Sequence, residues 1–201
     1  MSEVDRVVRA LRDGKLAVLP TDTVYGLVCG AFDEQPATDL YRLKGRDSIQ
    51  PTAVLGAGVD VLLEWIPELR GRPAAIAQAL LPGPFTLVFP NPAARFPWLC
   101  AGRPDTIGVR VPALSGPAAA IVARLGVVVA TSANLPGGPD PRRLDEVPGE
   151  IVAGVAAALD GGDLPGIPST VIDVTGLHPV VLREGAGDAG EALAWIAAAH
   201  T

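Results

Sequence analysis

Apolar residues at helical spacing alternate along this chain with short apolar runs of strand length. Val4, Val7, Val8 and Leu11 share one face of a helix that Asp13-Gly14 stops. The same spacing predicts helices over 36–43, 59–66, 74–81, 117–125 and 191–199. Strands are predicted over 15–19, 51–55, 85–89, 106–111, 127–130, 171–174 and 180–182, and the apolar run 155–159 suits either state. Residues 90–105, with four prolines and no period, read as a surface loop, and 136–141 as a loop rich in Gly and Pro. Interleaved helices and strands make the class α/β, a twisted mixed sheet with flanking helices. With no repeat and no linker, residues 1–201 are expected to form one domain.

One stretch does not fit a packing surface. After the apolar run Leu16–Leu19 come Pro20, Thr21, Asp22, Thr23, Val24 and Tyr25. If the chain stays extended, Thr21, Thr23 and Tyr25 line one side as a polar wall, and Asp22 and Val24 point away. On that parity Asp22 has no place in a site. The strand 106–111 divides more cleanly: Ile107, Val109 and Val111 make a core face, and Thr106 and Arg110 share the other, with Gly108 leaving room between them. By the same rule Ser132 and Asn134 share a face, and Arg183 ends the last strand.

Hydrophobic content of 49% supports a sizeable core, and aromatic content of only 4% makes it chiefly aliphatic. The 23 glycines and 20 prolines are spread through the chain as punctuation, not gathered in a disordered tract. A net charge of −6 is wrong for broad nucleic-acid binding, though it leaves room for a local cationic pocket. Cys29 and Cys100 are too few for a disulfide framework and read as small buried hydrophobes in a reducing compartment. The first twelve residues alternate charges without an apolar block, and no apolar run approaches the ~20 residues of a membrane span. A cytoplasmic protein with no membrane partner is expected.

Each arginine taken singly reads as a solvated surface residue. Lys44-Gly45-Arg46 is more pointed: a helix ending at Gly45 leaves two cations in a loop, where they can be aimed separately. With Arg110 and Arg183 they give up to four positive groups in an acidic chain, the combination that phosphate recognition uses. The sequence holds neither a glycine-rich loop followed by Lys-Ser or Lys-Thr nor a GxGxxG after the first strand. A phosphate site must therefore be assembled from side chains on several strands. Other chemistries are poorly served: His178 and His200 sit in a turn and at the terminus, no cysteine pairs have zinc spacing, and Ser132 lacks a partner base. Asp160-Gly161-Gly162-Asp163 reads as a plain turn, and no metal site is assigned. Ser169-Thr170 follows the stiff segment 165–168, which suits presentation of a hydroxyl to a ligand.

Eight short motifs then fall in one order. They are PTDTVYGL at 20–27, LKGR at 43–46, LPGPFTLVF at 81–89, TIGVRVP at 106–112, TSAN at 131–134, DGG at 160–162, PSTVIDV at 168–174 and LREG at 182–185. In that order the chain resembles the YrdC-like threonylcarbamoyl-AMP synthases in their single-domain form. The resemblance implies a twisted sheet around a large, positively lined cavity. It also implies condensation of L-threonine, bicarbonate or CO2 and ATP to threonylcarbamoyl-adenylate with release of pyrophosphate. That product serves threonylcarbamoyladenosine modification of tRNA, through downstream threonylcarbamoyl-transfer proteins.

By resemblance Lys44, Arg46, Ser132 and Asn134 are the characteristic catalytic set. The ATP-binding set is Lys44, Arg46, Thr106, Ser132, Asn134 and Arg183; Thr23, Tyr25, Arg110 and Ser169 belong to the threonine side. Mg2+ is expected with ATP, and no tightly bound cofactor. Loss of Lys44 or Arg46 is expected to slow turnover with little loss of fold. Weak RNA binding is a further expectation, and the competing reading is a paralogue that binds nucleotide or RNA without this synthesis. Three positions depart from the family pattern: Asp47 stands where proline is usual, Leu55 where some members carry a histidine, and Asp140 where a serine is common.

Overall fold

Ser2 shows how local chemistry sets the first element. Its hydroxyl accepts the Asp5 amide at 3.1 Å and its own amide donates to the Asp5 carboxylate at 3.1 Å, closing a capping box on helix α1 (Glu3–Arg12). Val7, Val8 and Leu11 are its buried face, as their spacing requires. The structure, a computed structural model, describes residues 2–45, 52–100 and 102–198.

Nine strands form a single sheet among the described residues. They are β1 (Ala17–Pro20), β2 (Tyr25–Gly30), β3 (Ala53–Gly56), β4 (Phe85–Pro90), β5 (Thr106–Arg110), β6 (Val127–Ser132), β7 (Ala157–Ala158), β8 (Thr170–Asp173) and β9 (Val180–Arg183). Their order across the sheet is β7-β1-β2-β6-β3-β5-β4-β8-β9, with parallel and antiparallel neighbours mixed. The other helices are α2 (Glu34–Leu43), α3 (Val59–Trp65), α4 (Arg72–Leu80), α5 (Gly116–Leu125), α6 (Gly149–Gly154) and α7 (Ala189–Ala198).

The two faces of the sheet are covered unequally. Leu27 and Cys29 of β2, Ile107 and Val109 of β5, and Val127 and Val129 of β6 pack in the larger core, with Leu40, Leu62, Ile76, Ile151 and Ile196 from the helices. The opposite side of β6, Val128 and Ala130, belongs to a smaller core with Val7, Val8 and Leu11 of α1 and Ala118 and Ile121 of α5. That smaller layer reaches β1, β2, β6 and Leu55 of β3. No residue of β4, β5, β8 or β9 belongs to it, so their side chains on that face are left to form a hollow.

Three sequence expectations change. Residues 90–105 are not merely a surface loop: a single 3₁₀ turn, Pro97–Leu99, returns Leu99 and Cys100 to the interior. The Leu99 carbonyl accepts both the Thr52 amide (2.9 Å) and the Tyr41 hydroxyl (3.1 Å), contacts that no periodicity could announce. The ambiguous run 155–159 yields only the two-residue strand β7 beside β1, and α6 precedes it unforeseen, because six residues with Ile151 alone buried carry no readable period. The predicted strand 15–19 does not run on through the hydroxyl stretch, since residues 22–24 form a bend before β2.

Ile121 is fully buried between α5 and the sheet, away from the hollow. Ile121→Ala is expected to lower unfolding free energy by about 2–5 kcal/mol in urea titration, from lost burial plus the cavity left behind. A loss below about 0.5 kcal/mol would show that this layer does not carry the sheet's second face.

Candidate functional site

The hollow is a cavity of about 530 Å³ over the uncovered half of the sheet. Its floor follows from strand parity: Thr106, Gly108 and Arg110 of β5 face it, while Ile107 and Val109 turn into the larger core. Ala53 and Leu55 of β3, Thr86 and Val88 of β4, and Val171 of β8 continue the floor. A Cβ on Gly108 would meet Ala53 and Thr86 only at 3.7–3.9 Å, so the absent side chain leaves space to the cavity, not to the protein.

Arg110 is buried at the end of β5. One of its terminal nitrogens, Nη2, donates to the Asp22 carboxylate and to Thr23 Oγ1 (2.9 Å). Burial pushes the guanidinium below its ordinary pKa; Asp22 works against that shift, and the Arg183 charge adds to it. Arg183 lies across the cavity on β9. Its Nε and Nη2 donate to the Ser169 carbonyl at 3.1 and 2.8 Å, and Nη2 reaches Ser169 Oγ at 3.2 Å. Ser169 Oγ in turn pairs with Thr86 Oγ1 at 2.8 Å. A Cβ on Gly185 would strike the Pro168 carbonyl and Ser169, so only glycine lets the turn after Arg183 lie against that loop.

Lys44 ends α2 and is buried. Its Nζ donates to the Ser132 carbonyl at 2.5 Å and to Asn134 Oδ1 at 3.0 Å. Ser132 Oγ donates to the same Asn134 oxygen at 2.7 Å, and Asn134 Nδ2 donates to the Gly138 carbonyl at 2.8 Å. Lys44, 88 residues before Ser132, is therefore one bonded unit with Ser132 and Asn134, and Ser132 stands on the cavity wall. Arg46 and Asp47 lie outside the described residues.

The structure thus brings Thr106, Arg110, Ser132, Ser169 and Arg183 onto one cavity and sets Lys44, Asn134 and Thr23 in direct contact with that wall. Tyr25 is not on it. The alternation argued from the sequence fails because the bend at 22–24 resets the parity before β2. Tyr25 points into the larger core with Leu27 and Cys29, and its hydroxyl lies 3.0 Å from Asp160 Oδ1 and 3.0 Å from the Gly162 carbonyl and accepts the Gly161 amide at 2.9 Å. The same bend turns Asp22, set aside on parity, towards Arg110.

Sequence reasoning also missed Arg103, Cys100 and Thr52 on the wall. Arg103 pairs with Asp173 of β8 at 2.9 Å. Burial alone would raise the Asp173 carboxyl, but Thr175 and Arg103 together hold it below its usual value. Cys100 Sγ lies 3.5 Å from Thr106 Oγ1. Cys29 is the inert thiol expected of it: burial pushes its pKa up to about 12. Leu55 lines the cavity as well, while Asp140 is half-buried and off its wall.

Residues 9–185 match the Sua5/YciO/YrdC family, described as telomere recombination. The chain belongs to the Sua5/YciO/YrdC family. It is 35% identical over 176 residues to the threonylcarbamoyl-AMP synthase of Pyrococcus abyssi, covering 87% of this chain and 52% of that protein. To the Bacillus subtilis protein of the same name it is 31% identical over 187 residues, covering 91% and 53%. The chain spans about half the length of these two curated relatives. Among solved structures, P. abyssi Sua5 complexed with L-threonine superposes with a TM-score of 0.86 at 32% identity, over 96% of this chain and 57% of that one. Escherichia coli YciO gives 0.81 at 27% identity, over 92% and 90%. This member of the family has no described helix long and apolar enough to cross a membrane.

Tyr25→Phe is expected to cost about 1 kcal/mol in urea unfolding, through loss of the anchor for the 160–162 turn. Lys44 departs from the expectation of a loop cation whose loss slows turnover and spares the fold, because it is a buried donor. Lys44→Ala leaves the Ser132 carbonyl and Asn134 Oδ1 short of that donor and is expected to cost about 1–3 kcal/mol in urea unfolding. Unchanged unfolding midpoints in either variant would contradict the contacts described.

Proposed function

We propose that this chain makes L-threonylcarbamoyl-adenylate from L-threonine, bicarbonate or CO2 and ATP, releasing pyrophosphate, for threonylcarbamoyladenosine modification of tRNA. The observation that carries the reading is the convergence of Arg110, Arg183 and the Lys44–Ser132–Asn134 unit on one cavity in a chain of net charge −6. The names of the relatives and the threonine complex of P. abyssi Sua5 support it.

The chemistry asks for what the cavity offers. The neutral amine of threonine adds to CO2 and loses a proton, giving a carbamate. A carbamate oxygen then attacks the α-phosphorus of ATP, and pyrophosphate leaves with the electron pair of the broken P–O bond. Two anions must be held in line while charge grows on the leaving group, which calls for fixed cations and hydroxyls and little proton transfer by the protein. From Thr106 to Arg110 the floor of β5 extends about 13 Å at ~3.3 Å per residue, room for an amino acid at one end and a nucleotide at the other. In this reading threonine lies at the Arg110 and Ser169 end and the nucleotide runs towards Thr106 and Ser132, with Arg183, bonded to Ser169, where the two ligands meet.

Magnesium enters in this reading as MgATP. The acidic groups beside the cavity, Asp22 and Asp173, are both paired with arginines, and no cluster of three His, Cys, Asp or Glu occurs among the described residues. The triphosphate oxygens themselves are the ion's natural hard ligands. Downstream tRNA threonylcarbamoyl-transfer proteins are the partners this product requires.

The expected outcome with purified protein and ATP is pyrophosphate release that needs both threonine and bicarbonate, read in a coupled phosphate assay. Release indifferent to threonine, or none in the presence of an active tRNA-modifying partner, would overturn the assignment.

A further inference from the structure

Asp22 makes two contacts that fix it independently of any ligand. One carboxylate oxygen takes Arg110 Nη2, and the other accepts the Ala113 amide at 3.0 Å, just beyond the end of β5. The bend that carries it is itself bonded: Thr21 Oγ1 accepts the Thr23 and Val24 amides at 3.1 and 3.2 Å and donates to the Val24 carbonyl at 2.7 Å. Side-chain exposure is 10% for Asp22 and 9% for Arg110, so the pair is screened from solvent.

The division of labour within the guanidinium follows atom by atom. Nη2 is held by Asp22 and Thr23. Nε is sealed and has no partner among the described residues. Nη1 makes no hydrogen bond to a described residue, and Arg110 lines the cavity. A free arginine side chain carries rotamer entropy that a ligand must otherwise overcome on binding. Here that freedom is already removed, and the buried positive charge is already offset.

We propose that Asp22 is a positioning residue: it fixes Arg110 through Nη2 so that Nη1 is presented to the carboxylate of the amino-acid substrate. The inference rests on the reading of the cavity as a threonine site. It separates Asp22 from the groups that touch substrate, since both carboxylate oxygens are occupied by the protein. Asp22→Asn tests it sharply. An amide has a single acceptor oxygen, so it cannot serve Arg110 and Ala113 together, and its NH2 faces one of those donors.

With Asp22→Asn, KM for threonine is expected to rise about tenfold or more, the scale of losing a charge-assisted hydrogen bond, while KM for ATP stays within about twofold. Calorimetric titration of threonine and ATP separately should show the same split. On an Arg110→Met background the Asp22→Asn change should add nothing to the loss of threonine affinity, since its effect runs through that arginine. That double variant removes both charges and is expected to fold even if Asp22→Asn alone does not. A double variant that binds threonine normally, or a single variant that does, overturns the proposal and leaves the threonine reading standing. Failure of the unmutated protein to bind threonine overturns both. In the unmutated protein labelled with 15N-arginine, threonine should shift the Arg110 Nη1 resonance and leave Nη2 in place; equal movement of the two would contradict the clamp.

Discussion

A guanidinium on the inner face of a central strand has to be compensated, and much of this site follows from how that is done for Arg110. It stands on β5, between β3 and β4, where no described helix packs on that face of the sheet. Water alone does not solvate it, because its side chain is nine-tenths buried. Asp22 supplies the opposite charge, and to bring Asp22 there the chain must bend between β1 and β2 instead of running straight. That bend resets strand parity, sends Tyr25 to the opposite side, and leaves Thr23 within reach of the same guanidinium. A charge requirement thus dictates backbone geometry in the most distinctive stretch of the sequence.

The second constraint is one of coverage. Among the described residues, nine strands present two long faces; five helices (α2, α3, α4, α6 and α7) and several loops serve the larger core, whereas the opposite face is covered by α1 and α5 over only part of its width. Where α5 lies over β6, Val128 and Ala130 are apolar; where no helix lies, the corresponding positions on β5 are threonine, glycine and arginine. Polar residues on a buried strand are costly unless paired, and here most of those on the cavity wall are bonded to one another. Ser132 and Asn134 share Lys44, and Ser169 shares Thr86 and Arg183. Such a wall is cross-braced by the protein's own hydrogen bonds.

Much of this was legible in the chain because period-2 alternation is a strong rule once a strand is regular. The division of 106–111 into a core face and a ligand face needed nothing beyond it, and 127–132 likewise showed a buried strand ending in polar residues. The rule gave the wrong side for Tyr25 and Asp22 because it assumes an extended chain, and Thr21 bonds its own backbone two and three residues ahead. Cys100 and Arg103 reach the cavity from an irregular segment tied by long-range bonds to the Leu99 carbonyl, one of them from the Thr52 amide, and by the Arg103–Asp173 pair. No local pattern encodes such contacts. Arg46 lies outside the described residues, so its place beside Lys44 rests on the sequence alone.

The claim on which all of this turns is that the uncovered half of the sheet is where nucleotide and amino acid meet. A crystal structure with threonine and a non-hydrolysable ATP analogue tests it most directly. The account predicts the amino-acid carboxylate on Arg110 Nη1 and the nucleotide extending towards Thr106 and Ser132 within the same cavity. Both ligands bound elsewhere on the surface, with only solvent over β5, would contradict it.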